Sequence, residues 1–262
     1  MELWEAIVLG AIQGLTEFLP VSSSGHLELA NALFGIEESN NLAFTVAVHG
    51  ATVLSTIVVF WHEIVKIIAG VFKFQMNPET KFFINIIISL LPVMFVGLLF
   101  KEQIEALFTS NTLLVGAMLL VTAALLLISH YAPRRDKPVT VRTALLMGVA
   151  QAVAVIPGLS RSGATISTGL IAGSKPEEVT KFSFLMVLIP VIGMNFLDIF
   201  SGSFTAADGI GTTNIAAGAI TAFIFGAAAC KWMVNIVKRG KLTWFAVYCI
   251  IVGAGAIIYS LL

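Results

Sequence analysis

Charge is scarce in this sequence. Fifteen Lys or Arg and fifteen Asp or Glu make 11% of 262 residues, where a soluble domain carries about 25%. The two signs cancel to a net charge of zero. That excludes a nucleic-acid binder working through a basic surface, an acidic disordered chain and an ordinary soluble enzyme. Cysteine is nearly absent. Cys230 and Cys249 both lie in apolar runs, with no metal-ligand spacing and no disulfide framework, and read as small core residues. The start, Met1 to Glu5, lacks the basic stretch of a cleavable signal peptide, so the first helix is expected to be retained.

Apolar residues are what the chain has in excess. They make up 58% of it, and the mean hydropathy is +0.96. One globule of this size cannot bury them all, so many must face lipid. The expected fold is an all-α polytopic membrane protein forming a single integral domain over 1–262. Charge-free runs long enough to cross, or nearly so, fall at 43–61, 82–100, 106–129, 182–197, 209–230 and 242–262. That predicts six crossings. Two further apolar segments, 3–35 and 142–174, are too long for one span, and residues that stop a helix break each midway. Pro20 and the serines 22–24 interrupt the first. Pro157, Gly158 and the run Ser160 to Gly163 interrupt the second. Both are predicted to be re-entrant helix hairpins.

Charge placement tests that reading. If both segments return to the side they entered from, 13 of the 15 basic residues share one side, Lys101 stays opposite and Arg161 lies in the membrane. If each segment crosses, the bias falls to seven against seven. The hairpin topology puts both termini outside the cytoplasm. Trp4, Trp61, Tyr131 and Trp244 then fall near the interfaces.

A shift of 138 residues superposes the two hairpins: Gly10 on Gly148, Gln13 on Gln151, Ser22 on Ser160, Ser24 on Ser162, Gly25 on Gly163. Phe44 falls on Phe182 in the following span. Halves of about 1–131 and 139–262, each one hairpin plus three crossings, make an inverted-topology repeat. The copies differ in chemistry. The first tip carries Glu17, Ser23 and His26, where the second has Val155, Arg161 and Ala164.

Each second arm begins at a Ser-Gly turn, so its unpaired N–H groups and its dipole favour an anion. Arg161 adds a guanidinium suited to phosphate. His26 can exchange a proton near neutral pH. Glu17 can orient it, act as a base, or hold a divalent cation bridging phosphate oxygens. Each group also has a plainer reading. Glu17 and Arg161 can be an ion pair locking the hairpins, His26 a capping residue, and the serines turn and N-cap residues. His49 stands between helix packing and lining the site.

The stretches Gly14 to His26 and Pro157 to Thr165 strongly resemble the two signature motifs of the undecaprenyl-diphosphate phosphatase (BacA/UppP) family. Length and motif interval match as well, so the resemblance covers the whole chain. It implies a multi-pass enzyme of the bacterial plasma (inner) membrane. Such an enzyme hydrolyses undecaprenyl diphosphate to undecaprenyl phosphate and phosphate, recycling the lipid carrier for peptidoglycan and conferring bacitracin resistance. It also implies six crossings and two re-entrant hairpins. By position, Glu17, Ser23, His26 and Arg161 fall to catalysis. Gln13, Ser22, Ser24, Gly25, Ser160, Ser162, Gly163 and Thr165 fall to substrate binding. The expected partners are a polyprenyl diphosphate and membrane lipid, with no nucleic acid. A homodimer is one assembly left open. Some members carry Glu where this chain has Gln13, so a two-carboxylate metal site is incomplete here. Magnesium or calcium on Glu17 is the cofactor expectation, with no organic cofactor. The rival reading is a transporter or flippase for a lipid phosphate or another anion, since inverted repeats with broken helices are transporter architecture.

Overall fold

The computed structural model describes residues 1–36, 42–107, 111–133, 136–193 and 211–261. Among them the chain is helical, with no named strand: α1 Leu3–Phe18, α2 Ser23–Phe34, α3 Leu42–Val59, α4 Trp61–Val71, α5 Pro78–Leu99, α6 Lys101–Glu105, α7 Thr112–Tyr131, α8 Val141–Val153, α9 Arg161–Ile171, α10 Pro176–Met186, α11 Thr212–Lys238 and α12 Thr243–Leu261. Residues 194–210, which take in the end of the expected span 182–197, lie outside the described residues. So do Arg134 and Arg135 of the charge count.

The apolar surplus faces outward, as a lipid environment requires. On α5, Ile87, Leu91, Met94, Phe95 and Leu98 form one exposed stripe, while Asn85, Ile86, Ser89 and Leu90 face the protein. Among the described residues α5, α7, α11 and α12 are each long and apolar enough to span a membrane. A fifth span results if α3 and α4 count as one.

Several boundaries differ from the sequence expectation. The run 43–61 ends at Val59, and the chain then bends by 74° into α4. Trp61, Val65 and Ile68 on that helix and Phe72 at its C-cap form an exposed stripe, while Ile64 and Ile67 pack on the core. An amphipathic helix therefore stands where only a connecting segment was expected. α7 starts at Thr112 rather than 106, capped by the Asn111 side chain. α10 ends at Met186, and helix resumes over 188–193 after a turn at Val187, which breaks the run 182–197. α11 runs on to Lys238, past the expected 230.

Small residues set which helices meet. A Cβ on Gly10 would lie 2.3 Å from the Gly218 carbonyl oxygen, and one on Gly14 would lie 2.6 Å from that of Ala222, so α1 rests directly on the α11 backbone. A Cβ on Gly148 would lie 2.3 Å from the Ser89 carbonyl oxygen, bringing α8 equally close to α5. Gly116 and Gly253 do the same for α7 and α12, each hypothetical Cβ 2.8 Å from the other's carbonyl oxygen. Such spacing lets helix backbones approach where lipid supplies no hydrophobic drive.

Candidate active site at the hairpin turns

Both hairpins turn for local reasons. Pro20 holds Leu19 extended, so α1 stops at Phe18. The chain then passes through Ser22, at a left-handed φ of 70°, into α2. In the second hairpin, Pro157 is followed by Gly158 at φ 87°, and α9 begins after Ser160. Only glycine fits at 158, since a Cβ would come within 2.5 Å of the Val115 carbonyl oxygen. The arms are 16 and 12 residues in the first hairpin and 13 and 11 in the second. All are shorter than the about 20 residues of a crossing.

The two turns touch. A Cβ on Gly25 would lie 3.0 Å from Gly158 Cα, and Ser162 Oγ donates to the Leu19 carbonyl at 3.1 Å. Across this contact Arg161 Nη2 donates to Glu17 Oε1, joining residues 144 apart in sequence. The other carboxylate oxygen, Oε2, accepts from Gln13 Nε2 at 2.9 Å and from Ser23 Oγ at 2.6 Å. Side-chain exposure is 9% for Glu17 and 22% for Arg161, so the pair is shielded but reachable. Gln13, Glu17, Ser23 and Arg161 thus form one hydrogen-bonded cluster. His49, on α3, bonds the Thr45 carbonyl through Nδ1 at 2.9 Å and lies within electrostatic reach of Glu17.

The remaining predicted residues build the turns. Ser22 accepts from the Gly25 N–H at 3.3 Å, and Ser160 from the Gly163 N–H at 3.0 Å, the same N-cap in both copies. Ser24 Oγ lies 3.4 Å from Ser22 Oγ, and Ser162 Oγ 3.3 Å from Ser160 Oγ. Thr165 is fully buried, between the Arg161 carbonyl and Ser183 Oγ at 2.6 Å. Ser22, Ser160, Ser162 and Thr165 therefore have their hydroxyls engaged inside the protein. The cap and helix bonds use the N–H groups of residues 25, 26, 163 and 164. That leaves those of Ser23, Ser24, Arg161 and Ser162 as what two helix starts offer an anion.

His26 has ring partners other than Ser23. Its Nδ1 faces the Ser22 carbonyl at 2.8 Å, and its Nε2 meets Tyr248 Oη at 2.7 Å. Sequence reading missed Tyr248. It also missed Thr122, whose hydroxyl accepts from the Ser160 N–H at 3.0 Å, and Ser183. All three lie in helices outside the motifs, and no local pattern marks them.

A crevice leads from the ion pair between α3 and the break after α10, lined by Phe18, Val53, Thr56, Phe184, Leu188 and Val191. Among the described residues no group of three or more His, Cys, Asp or Glu is placed to hold a metal. The donors at the turns suit a hard cation only as a bridge. Glu17 supplies one carboxylate, and diphosphate oxygens and water would have to complete the shell, as magnesium sites often do.

Fold and site together define a multi-pass helical membrane protein with a shielded, hydrogen-bonded cluster of Gln13, Glu17, Ser23 and Arg161 between two helix turns. The model of the family described as bacitracin resistance protein BacA matches residues 6–255, and the chain belongs to that family. It is 54% identical over 264 residues to the undecaprenyl-diphosphatase of Bacteroides fragilis, covering 99% of both chains. It is 53% identical over 266 residues to that of Parabacteroides distasonis, covering 100% of both. Identity to that of Salinibacter ruber is 38% over 267 residues, covering 97% of both.

Proposed function

We propose that this chain hydrolyses undecaprenyl diphosphate to undecaprenyl phosphate and inorganic phosphate, recycling the lipid carrier and conferring bacitracin resistance. The observation that carries the reading is the Glu17, Ser23 and Arg161 cluster at two converging helix starts. The full-length identity to proteins named for this hydrolysis supports it.

Without ligand, Arg161 is neutralised by Glu17. A diphosphate carries more charge than one carboxylate and accepts two parallel bonds from a guanidinium, so it takes Arg161 over. Glu17 keeps Ser23. Ser23 Oγ attacks the terminal phosphorus while Glu17 Oε2 accepts its proton, and the bond from that phosphorus to the bridging oxygen breaks. The leaving undecaprenyl phosphate is a stable anion and needs no proton. Arg161 and the N–H groups of the helix starts hold the charge spread over the transferring phosphoryl oxygens. Glu17 releases its proton to solvent. It then takes a proton from the water that attacks the phosphoserine and passes it to Ser23 Oγ as the bond from that oxygen to phosphorus breaks, which releases inorganic phosphate and restores Ser23. A water held by Glu17 in the place of Ser23 is the other possible nucleophile, and trapping a phosphoserine distinguishes the two. Glu17 would hold magnesium or calcium, which would supply charge neutralisation at the phosphoryl oxygens. The prenyl tail runs outward to the bilayer past Leu188 and Val191 at the edge of the crevice.

In this reading the protein lies in the bacterial plasma membrane with both termini outside the cytoplasm, and the two hairpins are re-entrant. The charge count supports that topology. The paired contacts of Gly10 with Gly218 and Gly148 with Ser89 support the inverted repeat. The deciding experiment is phosphate release from a long-chain prenyl diphosphate by the protein purified in detergent, with and without chelator, beside Arg161→Ala and Glu17→Gln. Release that both substitutions abolish is expected. No release from folded wild type would overturn the reading.

A further inference from the structure

The motif histidine has a partner that lies 222 residues away, outside both motifs. His26 Nδ1 is 2.8 Å from the Ser22 carbonyl, which can only accept, so Nδ1 carries the proton. In the neutral ring Nε2 then holds the lone pair, and it lies 2.7 Å from Tyr248 Oη. The phenol therefore donates to Nε2. The rings also stack, 12° from parallel with centroids 5.5 Å apart. The next residue of α12, Cys249, contacts the same turn, its Sγ 3.6 Å from the Pro20 carbonyl oxygen. α12 thus grips the first hairpin at its bend.

We infer that Tyr248 is the positioning residue for His26, its hydroxyl holding the Nε2 lone pair and its ring setting the plane in which the imidazole meets substrate. This rests on the phosphatase reading. It also divides the acid-base work. The Ser23 proton has Glu17 as its acceptor at 2.6 Å, while the one lone pair of His26 points toward α12 and is covered by the phenol. His26 becomes available when substrate displaces that hydroxyl, and it arrives already oriented.

Tyr248 is 42% exposed, and replacing it by Phe keeps the ring stack, so the fold should survive. Purified Tyr248→Phe should lose about tenfold in kcat on a long-chain prenyl diphosphate, with KM within about twofold of wild type. Tyr248→Gln, which restores a donor without the ring, should recover part of the loss. Tyr259→Phe, elsewhere on α12, should leave turnover unchanged. A second readout does not need activity. Diethyl pyrocarbonate acylates an unprotonated ring nitrogen, so peptide mapping should find His26 about fivefold more reactive in Tyr248→Phe, with His62 and His130 unaltered. Wild-type kcat in Tyr248→Phe, or a loss confined to KM, would overturn the inference. If wild type releases no phosphate, the phosphatase reading falls and the labelling decides alone. Faster His26 modification then supports the pairing, and an unchanged rate overturns it.

Discussion

The two hairpin turns share a backbone and divide a chemistry. Ser22 caps α2 through Gly25 as Ser160 caps α9 through Gly163, and in each copy a second serine, Ser24 or Ser162, stands beside the cap. Where the copies differ, the reactive groups appear: Glu17 against Val155 and His26 against Ala164 are on the first turn alone, and Ser23 against Arg161 sets a hydroxyl opposite a guanidinium. The serines and glycines common to both turns hold shape, and the positions that differ hold the chemistry. The two turns need each other, because the Glu17 carboxylate and the Arg161 guanidinium neutralise one another across the contact. The backbones also differ at one point. Ser22 sits at φ 70°, a region a side chain rarely adopts, whereas Ser160 sits at φ −66°.

The largest effect should come from breaking the charge that only the second turn carries. Arg161→Ala should lower phosphate release at least about 10³-fold, and Arg161→Lys should restore little, since an ammonium cannot reproduce the planar fork. Steady-state assays in detergent read both. Next comes the shared backbone approach. Gly10→Ala and Gly148→Ala each push a methyl against a facing carbonyl and should destabilise the protein by about 1–3 kcal/mol. The losses should be similar in the two halves when thermal unfolding is compared.

Smaller still are the caps. Ser22→Ala and Ser160→Ala should each cost about 1 kcal/mol, visible as a lowered melting temperature. Glycine sharpens the comparison: at 22 it relieves the left-handed backbone and should be better tolerated than alanine, whereas at 160 it has no such strain to relieve. The smallest effect lies at the rim. Lys238 bonds Glu177 at 2.5 Å and, with that bond first and its charge second, holds the Glu177 carboxyl below the ordinary carboxylate range. The folded form is therefore favoured above that range, and the advantage fades as pH falls through the lowered value. Lys238→Ala should remove a slight acid dependence of the melting temperature between about pH 6 and pH 3.

Much of this was legible in the chain. Glu17, Ser23 and Arg161 stand out because charge and hydroxyls are costly in an apolar run. The breaks at Pro20 and Pro157 show because proline and glycine act locally. The bend after Val59 was not legible. The run 43–61 carries no proline, and the helix breaks at Phe60, which is buried in the same core that Ile57 before the bend and Ile64 and Ile67 after it pack against. For the serines the sequence left turn and cap duty beside ligand binding, and the hydrogen bonds of Ser22, Ser160 and Ser162 show the structural duty; the burial of Thr165 against Ser183 was not legible, because that partner lies on another helix.

By itself, the sequence determined the class of molecule, two interrupted helical segments and a set of residues whose chemistry suits a phosphate, because hydropathy, helix breakers and residue chemistry are properties of short stretches. Only the tertiary structure decided who meets whom: Glu17 with Arg161, Ser160 with Thr122, His26 with Tyr248. Those partners are 144, 38 and 222 residues apart, and they meet because glycines let helix backbones approach within a methyl group of one another.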